Sequence, residues 1–153
     1  MIIVSDTSSI SNLIQIEQLH LLNALYGEIT ITPAVKRELY RIESHVQVIE
    51  TLDWIKVISP VNQQLVLRLL NDLDLGESEA IALAIEQNAK YLIIDEYLGR
   101  EIAQKLNLKV IGVAGVLLSA KEKGLLTAVK SPIDKLQQIG FWLNRDLLKL
   151  ILT

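Results

Sequence analysis

The sequence predicts an α/β domain built on a parallel sheet. Short apolar runs rich in β-branched residues alternate with longer segments in which apolar residues recur at helical spacing. The chain has 153 residues, half of them hydrophobic and 22% charged, which suits one packed domain and excludes wholesale disorder. We therefore expect a single domain over residues 1–153, with a helical tail over 131–153.

The first half of the chain predicts three strands with helices between them. Thr32 and Pro33 begin a helix, because a hydroxyl N-cap followed by proline is a common helix start. That helix carries Glu38. In chain order the predicted elements are a strand over Ile2–Ser5, one or two helices ending at Gly27, a strand over Glu28–Thr32, a helix from Pro33 toward Glu50 and a strand over Trp54–Ile58.

The second half predicts two more strands and a mostly helical remainder. Asp74-Leu75-Gly76 interrupts the helical pattern, and acidic residues from Glu77 suit the first turn of a new helix. In chain order the predicted elements are a helix over Leu65–Leu73, a helix from Glu77, a strand over Tyr91–Ile94, a helix over Leu98–Leu106, a strand over Lys109–Val113, a helix over Gly115–Lys123 closed by Gly124, and two short amphipathic helices around Gly140 within Ser131–Thr153.

Composition excludes several classes of function. Cysteine is absent, which removes disulfides, a thiolate nucleophile and sulfur-bound zinc. The net charge of −3 means that a nucleic-acid partner would need a local basic patch. There is no basic leader and no apolar run near the roughly 18 residues of a spanning helix, so we expect a soluble, cytoplasmic protein with no membrane partner.

Acidic residues follow the predicted strands at the places where ligands bind in such sheets. Asp6 and Asp95 come directly after two strands, and side chains at the carboxyl ends of neighbouring parallel strands converge where strand order reverses. Glu38, Glu77 and Glu79 lie on helices that reach the same edge. An aspartate after a strand is also a common helix N-cap, so caps and ion pairs are the competing interpretation of the same residues.

A cluster of carboxylates favours a hard divalent cation. Like charges raise one another's pKa unless a counter-charge is present, and Mg²⁺ or Mn²⁺ supplies it through oxygen ligands. The only two histidines, His20 and His45, lie in no metal-binding pattern, and we assign both to structural or surface roles.

Four segments, in order, resemble the PIN-domain family, and a fifth is similar to a prokaryotic subgroup related to the VapC-type toxins of toxin–antitoxin pairs. The four are Val4-Ser5-Asp6-Thr7-Ser8-Ser9, Thr32-Pro33-Ala34-Val35-Lys36-Arg37-Glu38-Leu39, Leu75-Gly76-Glu77-Ser78-Glu79-Ala80-Ile81-Ala82-Leu83-Ala84 and Leu92-Ile93-Ile94-Asp95-Glu96, and the fifth is Val110-Ile111-Gly112-Val113-Ala114-Gly115-Val116-Leu117-Leu118-Ser119-Ala120-Lys121.

The resemblance implies a three-layer α/β/α fold with a five-stranded parallel sheet of order 3-2-1-4-5. It also implies a Mg²⁺- or Mn²⁺-dependent ribonuclease that leaves a 5′-phosphate and a 3′-hydroxyl, a homodimer and an antitoxin partner. The catalytic acids it assigns are Asp6, Glu38, Glu77 or Glu79, and Asp95, with the metal held by Asp6, Asp95 and one of the two nearby glutamates.

Residues around those acids receive supporting roles. Thr7 and Ser8 are expected to orient Asp6 or a metal-bound water. Arg100 is the cation that we expect to contact RNA phosphate. Many relatives have aspartate where this chain offers Glu77 or Glu79, and Glu96 stands where some carry a further aspartate, which leaves one metal or two open.

Two other functional classes compete with the nuclease. One is a non-catalytic α/β module that binds a protein partner and uses its acids as caps and ion pairs. The other is an aspartyl-phosphate phosphotransferase, which is disfavoured because Asp6-Thr7-Ser8 lacks a second aspartate two residues after the first.

Overall fold

The sheet of this computed structural model is parallel throughout and has the strand order β3-β2-β1-β4-β5. The structure describes residues 1–143 and 145–152, without the side chains of residues 147 and 151. The predicted α/β class and strand order are therefore confirmed. The strands are β1 (Ile3–Ser5), β2 (Ile29–Ile31), β3 (Ile55–Val57), β4 (Tyr91–Ile93) and β5 (Val110–Ile111).

Helices connect the strands and cover the sheet on both faces. Over the described residues they are α1 (Thr7–Gln15), α2 (His20–Tyr26), α3 (Pro33–Leu39), α4 (Glu43–Glu50), α5 (Gln63–Leu69), α6 (Leu75–Glu86), α7 (Tyr97–Lys105), α8 (Val113–Glu122), α9 (Lys130–Gln138) and α10 (Arg145–Leu152).

Three predicted helix boundaries are wrong by two residues or more. The single helix expected from Pro33 toward Glu50 is two helices, because the backbone of Ile42 is extended and breaks the helical hydrogen bonds. Helix α5 starts before Leu65, because Asn62 caps it by accepting from the Leu65 N–H. The helix ends four residues before Leu73. Helix α6 begins at Leu75, because the Asp74 side chain caps it.

Successive strand residues face opposite layers, which produces two hydrophobic cores. Ile3 and Ile93 are buried against α1, α2, α8 and α9, whereas Val4 and Leu92 are buried against α5, α6 and α7. Burial of each such side chain stabilises the fold by roughly 1.5–3 kcal/mol. The alternation makes a three-layer α/β/α arrangement, as predicted.

The tail packs onto the body as two helices around Gly140. Leu136 and Leu143 are buried in the larger core, and α10 contacts α8. The parts of the predicted tail that fall on Asn144 and Thr153, and on the side chains of Leu147 and Ile151, lie outside the described residues. Across the described chain, each helix is too short or too polar to cross a membrane.

Candidate active site

Two aspartates leave the sheet side by side at its carboxyl edge. β1 and β4 are paired neighbours with Ser5 opposite Ile93, and the Asp6 N–H donates to the Ile93 carbonyl at 3.0 Å. The strand order reverses between β1 and β4, where open α/β sheets bind ligands. The expected adjacency of the two strands is confirmed.

Asp6 is buried and caps α1. Its Oδ1 accepts from the Ser9 N–H at 3.0 Å, its Oδ2 accepts from the Ser8 hydroxyl at 3.2 Å, and the residue is 1% exposed. The pKa of Asp6 is raised to about 6, chiefly by burial; the serine hydrogen bonds oppose the rise and the nearby Asp95 charge adds to it. The Ser8 hydroxyl thus contacts the Asp6 carboxylate, and its part in orienting a metal-bound water stays a prediction.

Asp95 is tied to the same serine and to the start of α8. Its Oδ2 accepts from the Ser9 hydroxyl at 3.2 Å, and its two oxygens lie 3.2 and 3.1 Å from the Val113 backbone nitrogen. Burial raises the pKa of Asp95, opposed by the Val113 and Ser9 hydrogen bonds and by Arg100. A Cβ at Gly112 would overlap the Asp95 carboxylate, so this approach requires glycine.

Ser9 is the residue that the sequence analysis missed. It donates its N–H to Asp6 and its hydroxyl to Asp95, and so links the two carboxylates. The available signal was its position three residues after Asp6, where an N-capping side chain receives a backbone N–H. The bond to Asp95, 86 residues away, has no local signal.

Glu38 brings an unpaired carboxylate oxygen to the same edge from α3. Its Oε2 is buried with no hydrogen-bond partner, and a Cβ at Gly76 would overlap that carboxylate. Burial raises the pKa of Glu38, as does the Asp74 charge, whereas Thr7, Arg41 and Arg37 lower it. Thr7 Oγ1 is close enough to affect Glu38, yet it too is buried without a partner in hydrogen-bonding geometry.

Glu77 enters the site through a reciprocal cap at the start of α6. Its N–H donates to Asp74 Oδ1 at 2.8 Å, and the Asp74 N–H donates to Glu77 Oε1 at 3.3 Å. The pKa of Glu77 is raised to about 8, chiefly by burial, and the charges of Asp74 and Glu96 contribute to the rise. Asp74 was interpreted as a helix break alone, although aspartate followed three residues later by glutamate is a capping-box pattern.

Glu79 points to another part of the molecule. It is buried, and its Oε1 accepts from the Ala34 N–H at 2.9 Å in the first turn of α3. This hydrogen bond holds the start of the helix that carries Glu38. Glu79 does not line the cavity described next, whereas Glu77 does.

Most of these groups line one cavity of about 290 Å³. Asp95 does not line it: Ser9 links Asp95 to Asp6, and Asp95 lines a second cavity instead. In residues 1–143 and 145–152 no three acidic or histidine side chains already stand in metal-binding geometry. The residues that line the first cavity are Asp6, Thr7, Ser8, Ser11, Glu38, Asp74 and Glu77.

The donor set nevertheless fits a divalent cation. Asp6, Glu38, Glu77 and Asp95 all have raised pKa values, chiefly because burial disfavours their ionised forms. Glu38 Oε2 is a buried acceptor without a donor, a costly arrangement that a cation would relieve. Oxygen donors alone suit Mg²⁺ or Mn²⁺ better than softer metals.

Arg100 lies beside Asp95, with its guanidinium held by the backbone. Its Nη1 donates to the Ile94 carbonyl at 2.9 Å, and the side chain lines the second cavity. This anchoring fixes a positive charge next to the acids. Contact of Arg100 with RNA stays a prediction.

A basic cluster on α3 and the turn after it flanks the acids on the opposite side. Lys36, Arg37 and Arg41 line a shallow cavity with Tyr40, and Lys36 Nζ lies 5.2 Å from the Tyr40 ring centroid. None of these cations is paired with a carboxylate within 4 Å in the part of the chain that the structure describes. Arg37 and Arg41 are exposed, as expected for a solvated helix face.

Comparison with known proteins identifies the fold family. A family model described as a PIN domain matches residues 2–153, nearly the whole chain. The search of curated proteins found no match.

Proposed function

The chain belongs to the PIN-domain family, whose members are generally nucleases, and from that premise we propose that it is a Mg²⁺- or Mn²⁺-dependent endoribonuclease. The observation that carries this proposal is the meeting of Asp6, Glu38, Glu77 and Asp95 at one sheet edge, each with a raised pKa. Four carboxylates whose ionised forms are disfavoured are costly to a fold, and binding of a catalytic metal ion would account for their presence.

The residues of the chain would divide the work of phosphodiester hydrolysis. Asp6, Glu77 and Asp95 would hold the cation, with Glu38 as the further acid. A bound cation supplies a water of lowered pKa and compensates charge on the phosphate. Ser9 holds the two aspartates at a fixed separation, and Glu79 positions Glu38 through the start of α3. Water would add to phosphorus as the P–O3′ bond breaks, and the proton that the water loses would be balanced by one gained at the departing 3′-oxygen, which yields a 5′-phosphate and a 3′-hydroxyl.

The basic cluster on α3 supports RNA as the substrate. In a chain of net charge −3, Lys36, Arg37 and Arg41 provide the local positive surface that phosphate binding requires. Lys36 and Arg37 lie on the helix that carries Glu38, and Arg41 follows that helix, so a bound backbone would pass beside the acids.

We assign the protein to the toxin side of a type II toxin–antitoxin pair, as a homodimer in complex with an antitoxin in the resting cell. This part rests on the resemblance of the segment Val110–Lys121 to that subgroup. Expression in a bacterial host should arrest growth, and Asp6→Asn should abolish the arrest. Growth arrest of equal strength by the parent and by Asp6→Asn, or no arrest by either, would contradict the toxin assignment. A small upstream gene for a DNA-binding protein would support it.

The nuclease proposal is tested by removing one carboxylate at a time. Asp6→Asn and Asp95→Asn should each lower the rate of single-stranded RNA cleavage in Mn²⁺ by at least about a hundredfold, because loss of a ligand exceeds the 10- to 100-fold cost of losing its support. Asp53→Asn, at an exposed position far from the site, is the matched control and should cut at the parental rate. Parental rates in both site variants would refute the proposal.

One set of contacts favours the non-catalytic alternative. Asp6, Asp74 and Glu96 cap α1, α6 and α7, and Glu79 binds the start of α3, so these acids have structural partners without any metal. Titration with Mn²⁺ separates the two hypotheses. A nuclease site predicts metal-dependent thermal stabilisation that Asp6→Asn removes, whereas helix caps predict none.

A further inference from the structure

The second cavity at the sheet edge has an unusual lining. It measures about 540 Å³, within the roughly 300–1,000 Å³ of small-molecule sites, and Asp95 and Arg100 form part of its wall. Of the chain's two tryptophans, four tyrosines and one phenylalanine, three line it: Tyr97, Phe141 and Trp142. We call this cavity the aromatic pocket.

The two largest of these rings face solvent. Tyr97 is 79% exposed and Trp142 is 81% exposed, although aromatic side chains are normally buried for most of their area. The backbone on either side of Trp142 is anchored: Leu143 is buried, and the Phe141 N–H donates to the Leu136 carbonyl at 3.0 Å. Tyr97 is the first residue of α7, which Glu96 caps. Both rings line the same cavity as Asp95.

We infer that the aromatic pocket is a nucleobase subsite, which receives an unpaired base next to the scissile phosphate of single-stranded RNA. The inference rests on the proposed function and specifies its substrate. Every base has a π-face, so aromatic rings bind unpaired bases with little sequence preference. The Arg100 guanidinium adds a cation that pairs with a flanking phosphate or stacks on the base.

The aromatic pocket adjoins the acidic residues, and this favours a nucleobase as its occupant over a protein side chain or a second copy of the chain. Asp95 belongs both to the Ser9-linked pair and to the wall of the pocket. A base in the pocket would therefore place its own phosphate at the carboxylates. An apolar helix would instead cover the Asp95 carboxylate and the Arg100 guanidinium in the wall of its groove without offering either a partner, and desolvation of charged groups is costly.

Binding without metal tests the subsite separately from catalysis. In a Trp54→Phe background Trp142 is the sole tryptophan, and its fluorescence is followed in EDTA while a single-stranded oligoribonucleotide is added. We expect quenching by this probe and none by an abasic oligonucleotide of equal length and charge. Trp142→Ala and Tyr97→Ala, read by anisotropy of the labelled RNA, should each weaken binding about tenfold, and Trp142→Phe should retain most of it.

Leu67→Ala is the matched control, since this side chain is 66% exposed on α5, away from the pocket, and it should bind like the parent. Equal quenching by the abasic probe would overturn the subsite. So would parental affinity in both alanine variants, or sedimentation of a dimer that Trp142→Ala dissociates. If the parent cuts RNA while these variants bind normally, only the subsite fails. If the parent never cuts but quenching occurs, the subsite stands and the nuclease proposal fails.

Discussion

Asp6 makes the metal-free protein sensitive to pH. Burial raises its pKa from 3.8 to about 6 in the folded state, so between these values the folded protein binds more protons than the unfolded chain. The free energy of unfolding therefore falls as pH rises through this window, by about 3 kcal/mol for Asp6 alone. Glu77, with a pKa of about 8, extends the fall to higher pH.

Asp6→Asn should flatten this profile. Urea unfolding in EDTA, at pH values below 4 and above 6, measures the change for parent and variant. We expect the variant to lose less stability across the window, because the amide does not ionise. Added Mn²⁺ should restore the parent above pH 6 and do little below it, since protons compete for the same oxygens. Parallel profiles for parent and variant would contradict the assignment.

Some residues of the site can be located from the sequence, and others cannot. The positions of Asp6 and Asp95 followed from strand ends, because backbone topology alone brings them together. The Ser9 bridge depends on side-chain packing between segments 86 residues apart, which no local pattern encodes. The unpaired Glu38 oxygen depends on its fit against Gly76, which is likewise a tertiary contact.

At the scale of elements, α6 separates the two glutamates that the sequence left as alternatives. Residues two apart on an α-helix point about 200° apart, so Glu77 and Glu79 cannot serve one site equally. The helical period thus predicts that the two glutamates face different ways, but which of them faces the cavity depends on how α6 packs against α3. The structure turns Glu77 to the cavity and Glu79 to Ala34.

Substitution of each glutamate tests this division. Glu77→Gln should abolish cleavage with little loss of stability. Glu79→Ala should lower the free energy of unfolding by about 1–3 kcal/mol, because the Ala34 N–H loses its partner, yet keep substantial activity per folded molecule. Urea unfolding and Mn²⁺-dependent cleavage are the measurements, and Glu79→Gln is the matched control that retains the acceptor. Activity lost in Glu79→Gln but kept in Glu77→Gln would reverse the assignment.

Helix ends were less predictable than strands for a physical reason. Strand positions follow from runs of buried β-branched residues, and all five were located. The break between α3 and α4 depends on the extended backbone of Ile42, a residue that periodicity counts as helical. The start of α6 was two residues out because the Asp74 cap was interpreted as a turn.

Across the whole molecule, charge and aromatic surface lie on either side of the acids. The basic cluster of Lys36, Arg37 and Arg41 occupies the β2–β3 side, and the aromatic pocket occupies the β5 side. A single RNA strand that crosses this edge would have its phosphates bound by the basic cluster on one side of the cleavage point and a base bound by the aromatic pocket on the other. The fold class alone would not have revealed this arrangement, since it depends on surface residues.

Salt dependence tests the basic side. Lys36→Ala and Arg41→Ala should each weaken binding of single-stranded RNA and reduce the slope of log K against log salt by about 0.7, the value for one lost phosphate contact. Fluorescence anisotropy in EDTA over a series of salt concentrations gives the slope. Lys105→Ala, which removes a cation already 3.4 Å from Glu101, is the control and should leave it unchanged. An unaltered slope in all three variants would remove the basic cluster from the binding surface.

The most direct test of the account is a crystal of the protein soaked in Mn²⁺ and measured for anomalous scattering. The account predicts a peak within coordination distance of oxygens of Asp6 and Asp95, with Glu77 or Glu38 turned toward it, and no such peak in Asp6→Asn. No peak at this edge, with Asp6 and Asp95 still hydrogen-bonded to Ser9 and Val113, would contradict it.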